Sequence, residues 1–328
     1  MWESISSARA IGFGAVLVIS LYTARLIIRS RRSRRKITRI IDTVEELQRL
    51  SVKMKDPNLV EDKVCQLIKG GHTKLQVVAD FDMTLSRFHL NGTPCSSCHG
   101  AIETSRKLPT GYRQKVKSYK DQYYPIEIDP ALTAEQKTPF MIEWWTKSHE
   151  LLVETNLNKA DLKDIVKDSK VCLRDGCQSF LELLYENKVP LTIFSAGLGN
   201  ILEEVLRQQA FLHDNIRVIS NYINFDDAGK IKDFSAVMIH AYNKNSCNLL
   251  TGNNFNDSNQ RTNVLLVGDS LGDVGMADGL PNLNTILRIG FLNDNIEGSL
   301  HKYMDNYDIV LVNDQTLDIV NGIVRKIF

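Results

Sequence analysis

The feature that most constrains this chain is residues 74–87, KLQVVADFDMTLSR. The apolar, β-branched run LQVVA reads as a buried strand. Two carboxylates, Asp80 and Asp82, follow it with one residue between them. Side chains alternate along an extended chain, so both acids fall on one side, and Thr84 adds a hydroxyl there. Like charges converging at a strand end repel unless a cation relieves them, and a hard divalent ion such as Mg²⁺ takes oxygen ligands. The segment is therefore equipped to hold Mg²⁺ and to present a carboxylate nucleophile. A bare D-x-D also fits a solvated acidic turn, so the rest of the chain has to decide between them.

Downstream, apolar strand patterns alternate with helical ones. Strands are predicted at 189–194, 217–220, 262–267, 286–289 and 309–312, with helices at 175–187 and 200–209. DDAG at 226–229 predicts a hairpin turn between 222–225 and 230–234. Strand–helix alternation implies a doubly wound parallel sheet covered on both faces, with its ligand site beyond the carboxyl ends of the strands. Asp80, Ser195 and Asp269 each stand directly after a predicted strand.

Residues 88–172 do not return to the sheet at once. The interval carries helical patterns at 113–122, 140–149 and 159–166, and reads as an inserted helical cap able to close over a substrate. TAEQ at 133–136 has the form of a capping box, and Thr138-Pro139 that of an N-cap with proline in the first helical position. Before the first strand, 37–72 reads as helical and polar, interrupted at Asp56-Pro57-Asn58, with a short helix at 60–69 ending at Gly70-Gly71. The expected division is 1–36, 37–87, 88–172 and a catalytic core at 173–328.

Charge is distributed unevenly. The first 40 residues hold nine Lys/Arg and one acid, leaving 31 basic against 38 acidic residues beyond them. A net-acidic catalytic part argues against nucleic acid as a partner. Residues 10–24 are uncharged, and extended to Ile28 they reach nineteen residues, followed by RSRRSRRK. That length and flank fit a membrane anchor with the enzyme on the cytosolic side, the endoplasmic reticulum being the expected membrane. Six scattered cysteines form no disulfide framework, which favours a reducing compartment. Cys95-Ser-Ser-Cys98-His99 matches a haem-attachment pattern and could be half a zinc site, but no second C-x-x-C and no axial haem ligand accompany it, so it reads as a tight turn after Gly92-Thr93-Pro94.

DFDMT, Ser195 in IFSAGLGN, Lys244 in HAYNKNS, and Asp269 with Asp273 in LLVGDSLGD resemble, in order, the four motifs of the haloacid-dehalogenase-like phosphotransferases. DFDMTLSRF, YPIEIDP, EWWTKSH, FSAG and GDSLGD are similar to the type III cytosolic pyrimidine 5′-nucleotidases and the related 7-methylguanosine-phosphate-specific enzymes. The resemblance runs over 63–328. It implies a Rossmann-like core of that superfamily and hydrolysis of a nucleoside 5′-monophosphate (CMP, UMP or 7-methyl-GMP) by a monomer. Asp80 would be nucleophile and Asp82 acid and base. Mg²⁺ would be held by Asp80, Asp269 and Asp82, the last through a nearby main-chain carbonyl. Ser195, the Ala196 amide and Lys244 would bind phosphate, with Thr84 and Asp273 in support. Glu127 and Ser148 match positions that recognise the base, and Trp144 or Trp145 would stack on it. The alternative is a phosphatase or phosphotransferase of the same fold acting on another phosphate ester, since fold does not fix substrate.

Overall fold

The computed structural model describes residues 39–129, 131–235, 237–244 and 261–328. The expected membrane anchor lies outside them. Among the described residues no helix is long and apolar enough to cross a membrane.

The strands are β1 (Val52–Lys53), β2 (Leu75–Ala79), β3 (His89–Leu90), β4 (Thr93–Pro94), β5 (Leu191–Leu198), β6 (Ile216–Asn221), β7 (Ile223–Phe225), β8 (Ile231–Phe234), β9 (Asn263–Gly268), β10 (Thr285–Leu292) and β11 (Ile309–Val312). Seven of them form one sheet in the order β1-β11-β10-β9-β2-β5-β6. Every pairing in it is parallel except β1 with β11 at one edge. Every side chain of β2 is buried, as a strand covered on both faces requires. From β2 the chain runs outward to β5 and β6, then returns to β9 on the other side of β2. Strand order therefore reverses at β2, and that is where open sheets of this kind place their ligand site.

Register explains how distant motifs meet. Ala79 pairs with Ile193 of β5 and with Val267 of β9. Asp80 stands one residue past that level, and Ser195 and Asp269 two residues past it. The predicted hairpin is present as β7 and β8, antiparallel across residues 226–229.

Several helices differ from their predicted limits, and proline is the common reason. Asp56-Pro57, expected to break the chain, instead begins the helix Pro57–Gly70. The Asp56 side chain accepts from the amides of Asn58 and Leu59, and proline takes the first position, where no N–H is needed. Thr133 does form a capping box with Gln136, but the helix it starts, Ala134–Val153, runs through Pro139 without a second start at Thr138. Thr138 Oγ1 donates to the Ala134 carbonyl instead. Pro125 likewise lies within Thr110–Ile128, so Glu127 is helical. Between residues 39 and 50 the chain forms two short 3₁₀ turns, Ile40–Thr43 and Glu45–Gln48, where a longer helix was expected.

Candidate active site

Phe81 is fully buried, which turns its neighbours Asp80 and Asp82 to the other side of the chain. The Asp80 amide donates to the Val267 carbonyl at 2.9 Å, carrying the β2–β9 pairing one residue further. Met83 then adopts φ 62°, a left-handed turn that bends the chain out of the sheet. That turn exposes main-chain carbonyls to the interior. Arg174, buried where the chain re-enters the core, donates to the carbonyls of Met83, Thr84 and Asp314 and to Asn293 Oδ1. Its guanidinium lies 3.8 Å from the centre of the Phe291 ring. A buried carbonyl left unpaired costs about 1–3 kcal/mol, so this side chain holds the Asp80–Thr84 turn in place.

Lys244 Nζ pairs with Asp80 Oδ1 and, at 2.7 Å, with Asp273 Oδ1. All three side chains are buried. Asp273 Oδ2 accepts from the amides of Asp269 (3.1 Å) and Ser270 (2.9 Å) and from the Ser270 hydroxyl (2.9 Å). Asp273 thus fixes the lysine with one oxygen and the Asp269 turn with the other. Thr84 Oγ1 reaches Asp269 Oδ1 at 3.3 Å. Tyr303 and Tyr307 donate to the carbonyls of Asp269 and Ser270, bracing that turn from the far side.

Asp80, Asp269 and Asp273 bring carboxylate oxygens within 4.8 Å of one another. Burial pushes Asp80 up to about 7 despite the pull of Lys244, with Asp273 and Asp82 adding to the rise. Burial, then Asp80 and Asp273, hold Asp269 well above the usual carboxylate range. Burial pulls the Lys244 ammonium down, but Asp273 and Asp80 more than offset it. Three crowded carboxylates facing one ammonium leave an excess of negative charge, and a divalent ion with oxygen ligands fits that excess. The Asp82 side chain stands apart from this group. Its Oδ1 accepts from the Cys98 amide at 2.8 Å, and burial raises its pKa against the pull of that bond.

Ser195 is buried near the end of β5, past a register shift that follows Phe194. Its Oγ accepts from the Gly197 amide at 3.0 Å, and the Ala196 carbonyl accepts from Asn221 at 2.9 Å. The strand runs on to Leu198, beyond its predicted end. Gly197 has a specific task, since a Cβ there would come within 2.7 Å of Asp82 Oδ2 and 3.2 Å of Cys98 Cβ.

In the inserted segment, Trp144 is buried between Tyr123 (5.9 Å between ring centres) and Trp145 (5.2 Å). Trp145 in turn lies 4.3 Å from His99. His149 stacks on Phe234 at 3.8 Å. Ser148 Oγ, His99 Nε2 and His149 Nε2 are buried without a hydrogen-bond partner in the protein. Burial pushes Glu127 above the usual carboxylate range, with Lys137 and Lys120 pulling it back. The Glu127 carbonyl accepts from Lys137 Nζ (2.8 Å) and the Tyr242 hydroxyl (3.2 Å).

Sequence reasoning missed Arg174, Gly197, Tyr242 and the part played by the Cys95–His99 turn. Arg174 and Tyr242 act on main-chain carbonyls far away in sequence, which leave no pattern. The turn did carry a signal. Ser97 caps the helix Cys98–Glu103, and that helix start supplies the amide that holds Asp82.

An aspartate at the switch point of a parallel sheet, with a lysine and two further aspartates at its carboxylate, is equipped to attack phosphorus and to offset the charge that develops there, as a phosphatase must. Comparison with known proteins makes the assignment narrower. The family model of pyrimidine 5′-nucleotidase (UMPH-1) matches residues 83–328, and the chain belongs to that family. It is 45% identical over 286 residues to the mouse 7-methylguanosine phosphate-specific 5′-nucleotidase, covering 87% of this chain and 95% of that one. A Xenopus laevis protein, 7-methylguanosine phosphate-specific 5′-nucleotidase A, is 46% identical over 275 residues, 84% of this chain and 95% of that one. The crystal structure of cytosolic 5′-nucleotidase IIIB bound to cytidine superposes with a TM-score of 0.82 at 36% identity, covering 88% of this chain and 97% of that one. The chain is accordingly a 5′-nucleotidase.

Proposed function

We propose that this 5′-nucleotidase hydrolyses CMP, UMP and 7-methyl-GMP through an aspartyl-phosphate on Asp80. The observation that carries the mechanism is the buried contact of Lys244 with both Asp80 and Asp273. Asp80 attacks phosphorus as the ester P–O bond breaks, which divides one slow displacement into two. Asp82, kept prone to protonation by burial, gives its proton to the leaving 5′ oxygen. It then takes a proton from the water that cleaves the acyl phosphate, releasing phosphate and restoring Asp80. Lys244 offsets charge on the phosphoryl oxygens, and Ser195 with the Ala196 amide donates to them. Asp80 and Asp269, with a main-chain carbonyl near Asp82, would hold Mg²⁺, which supplies further neutralisation of that charge when bound. Asp273 has both oxygens engaged and acts by placing Lys244 and the Asp269 turn.

Residues 88–172 form the cap over this chemistry in our reading, and Glu127, Ser148 and Trp145 read the base. Support comes from the cytidine-bound relative and from the names of the curated relatives. An ionised carboxylate only accepts hydrogen bonds. It favours the exocyclic amine of cytosine and the donors and positive ring of 7-methylguanine over uracil. A cationic ring against an indole gains roughly 0.5–2 kcal/mol. The expected order is CMP and 7-methyl-GMP above UMP, and all three above GMP and AMP. Phosphate release from that panel in Mg²⁺ tests it, and AMP or GMP at the head of the order would overturn it. Residues 10–28 are further proposed to anchor the enzyme in a membrane, on the strength of their uncharged run and basic flank. Free solubility of the full chain after cell fractionation would refute that.

A further inference from the structure

The stretch 237–244, which carries Lys244, touches three parts of the site. Lys244 itself bridges Asp80 and Asp273. Ala241 packs on the turn before Asp273, where its carbonyl would lie 2.2 Å from a Cβ on Gly272. Two residues before Lys244, Tyr242 packs against the buried cluster of Tyr123, Met141 and Trp144 and donates its hydroxyl to the Glu127 carbonyl. Lys137 donates to that same carbonyl and stands 5.9 Å from the centre of the Tyr242 ring. The loop is stiffened from within. The Tyr242 amide donates to His240 Nδ1 (3.2 Å), the His240 amide to Asn243 Oδ1 (2.8 Å), and Asn243 Nδ2 to the Met238 carbonyl (2.8 Å). A stiff loop transmits displacement from one end to the other better than a slack one.

We propose that Tyr242 is a positioning residue that ties the base-reading end of the cap to the lysine of the phosphate site. It rests on the reading of Glu127 as the residue that meets the base. The Glu127 carbonyl belongs to the last turn of the helix Thr110–Ile128, where carbonyls lack a partner within the helix. Tyr242 and Lys137 supply donors there, and so fix the position of the carboxylate carried by the same residue. A base that engages Glu127 then favours the cap position in which the Lys244 loop is seated. A small phosphate ester without a base does not draw on this link.

The test is steady-state kinetics on CMP, UMP and p-nitrophenyl phosphate for wild type, Tyr242→Phe, Glu127→Gln and the double variant. Tyr242→Phe keeps the packed ring and removes only the donor. It should raise KM for CMP about three- to tenfold, the scale of one lost hydrogen bond. It should leave kcat within about twofold, narrow the CMP-to-UMP preference, and alter p-nitrophenyl phosphate hydrolysis by less than about twofold. In the Glu127→Gln background the same change should add less than about twofold, because the carboxylate it places is gone. Lys137→Met should act in the same direction as Tyr242→Phe. An equal loss on p-nitrophenyl phosphate and CMP, or a full effect persisting without the Glu127 carboxylate, overturns the link. A CMP-to-UMP ratio altered by Glu127→Gln but not by Tyr242→Phe overturns it alone. A ratio unmoved by Glu127→Gln overturns the base-reading role and the link together.

Discussion

The two ends of the site are built on opposite terms. At the phosphate end, the oxygens of Asp273 and the ammonium of Lys244 are engaged, and Arg174, Tyr303 and Tyr307 hold the main chain that carries Asp80 and Asp269. At the end we propose for the base, Ser148 Oγ, His99 Nε2 and His149 Nε2 are buried with no partner in the protein. Charge that must act on a transition state has to be in place beforehand, because reorganising it during reaction adds to the barrier. Groups that select a ligand instead realise their hydrogen bonds on binding, and leaving one unmet is what rejects a wrong ligand. The comparison predicts that changes at the phosphate end damage the chemical step, whereas changes at the base end alter selection or stability.

The largest effect should follow Asp80→Asn. The amide cannot form the covalent intermediate, so turnover should fall by at least about a thousandfold. The melting temperature should hold or rise, since one of three crowded carboxylates loses its charge. Near-normal phosphate release in Mg²⁺ would break the mechanism.

Gly197→Ala sharpens the comparison with a smaller effect. The added methyl meets Asp82 Oδ2 at 2.7 Å and pushes on the carboxylate whose other oxygen, Oδ1, accepts from the Cys98 amide. A misplaced acid slows departure of the leaving group, so kcat should fall roughly ten- to a hundredfold with KM little changed. The loss should be smaller for p-nitrophenyl phosphate, whose leaving group departs well without a proton. Equal losses on both esters would mean that the methyl disturbs phosphate binding at Ser195 instead of proton transfer.

How much of this was legible in the sequence follows the same division. Asp80, Ser195 and Asp269 announced themselves because each follows a run of buried apolar residues, and parallel register then brings them to one edge. The parallel sheet and the β7–β8 hairpin were readable for the same local reason. Arg174 and Tyr242 were not, because their partners are main-chain carbonyls 91 and 115 residues away. Proline misled in both directions. Pro57 starts a helix where a break was expected, while Pro125 and Pro139 sit inside helices whose packing outweighs one missing bond. Trp144 and Trp145 looked equivalent, yet the first is buried against Tyr123 and Met141 and the second meets His99.

The smallest expected effect concerns His149 and bears on stability alone. Its ring stacks on Phe234, and burial pulls its pKa down to about 4, while burial and then His149 pull that of His99 to about 3. The unfolded chain binds these protons near pH 6.5, so between pH 6.5 and about 4 the unfolded state holds more of them than the folded state. Stability from keeping the rings neutral is therefore full above pH 6.5 and is lost as pH falls through that window. For His149 the loss amounts to about 2 kcal/mol by pH 5. Phenylalanine keeps the stacked area and cannot take up a proton. Urea unfolding of wild type and His149→Phe at pH 7.5, 6.5, 5.5 and 5 should show the variant losing less stability toward acid, by roughly that amount. Parallel decline of the two proteins would mean that the folded chain protonates His149 freely, and the contrast drawn for the base end would lose that residue.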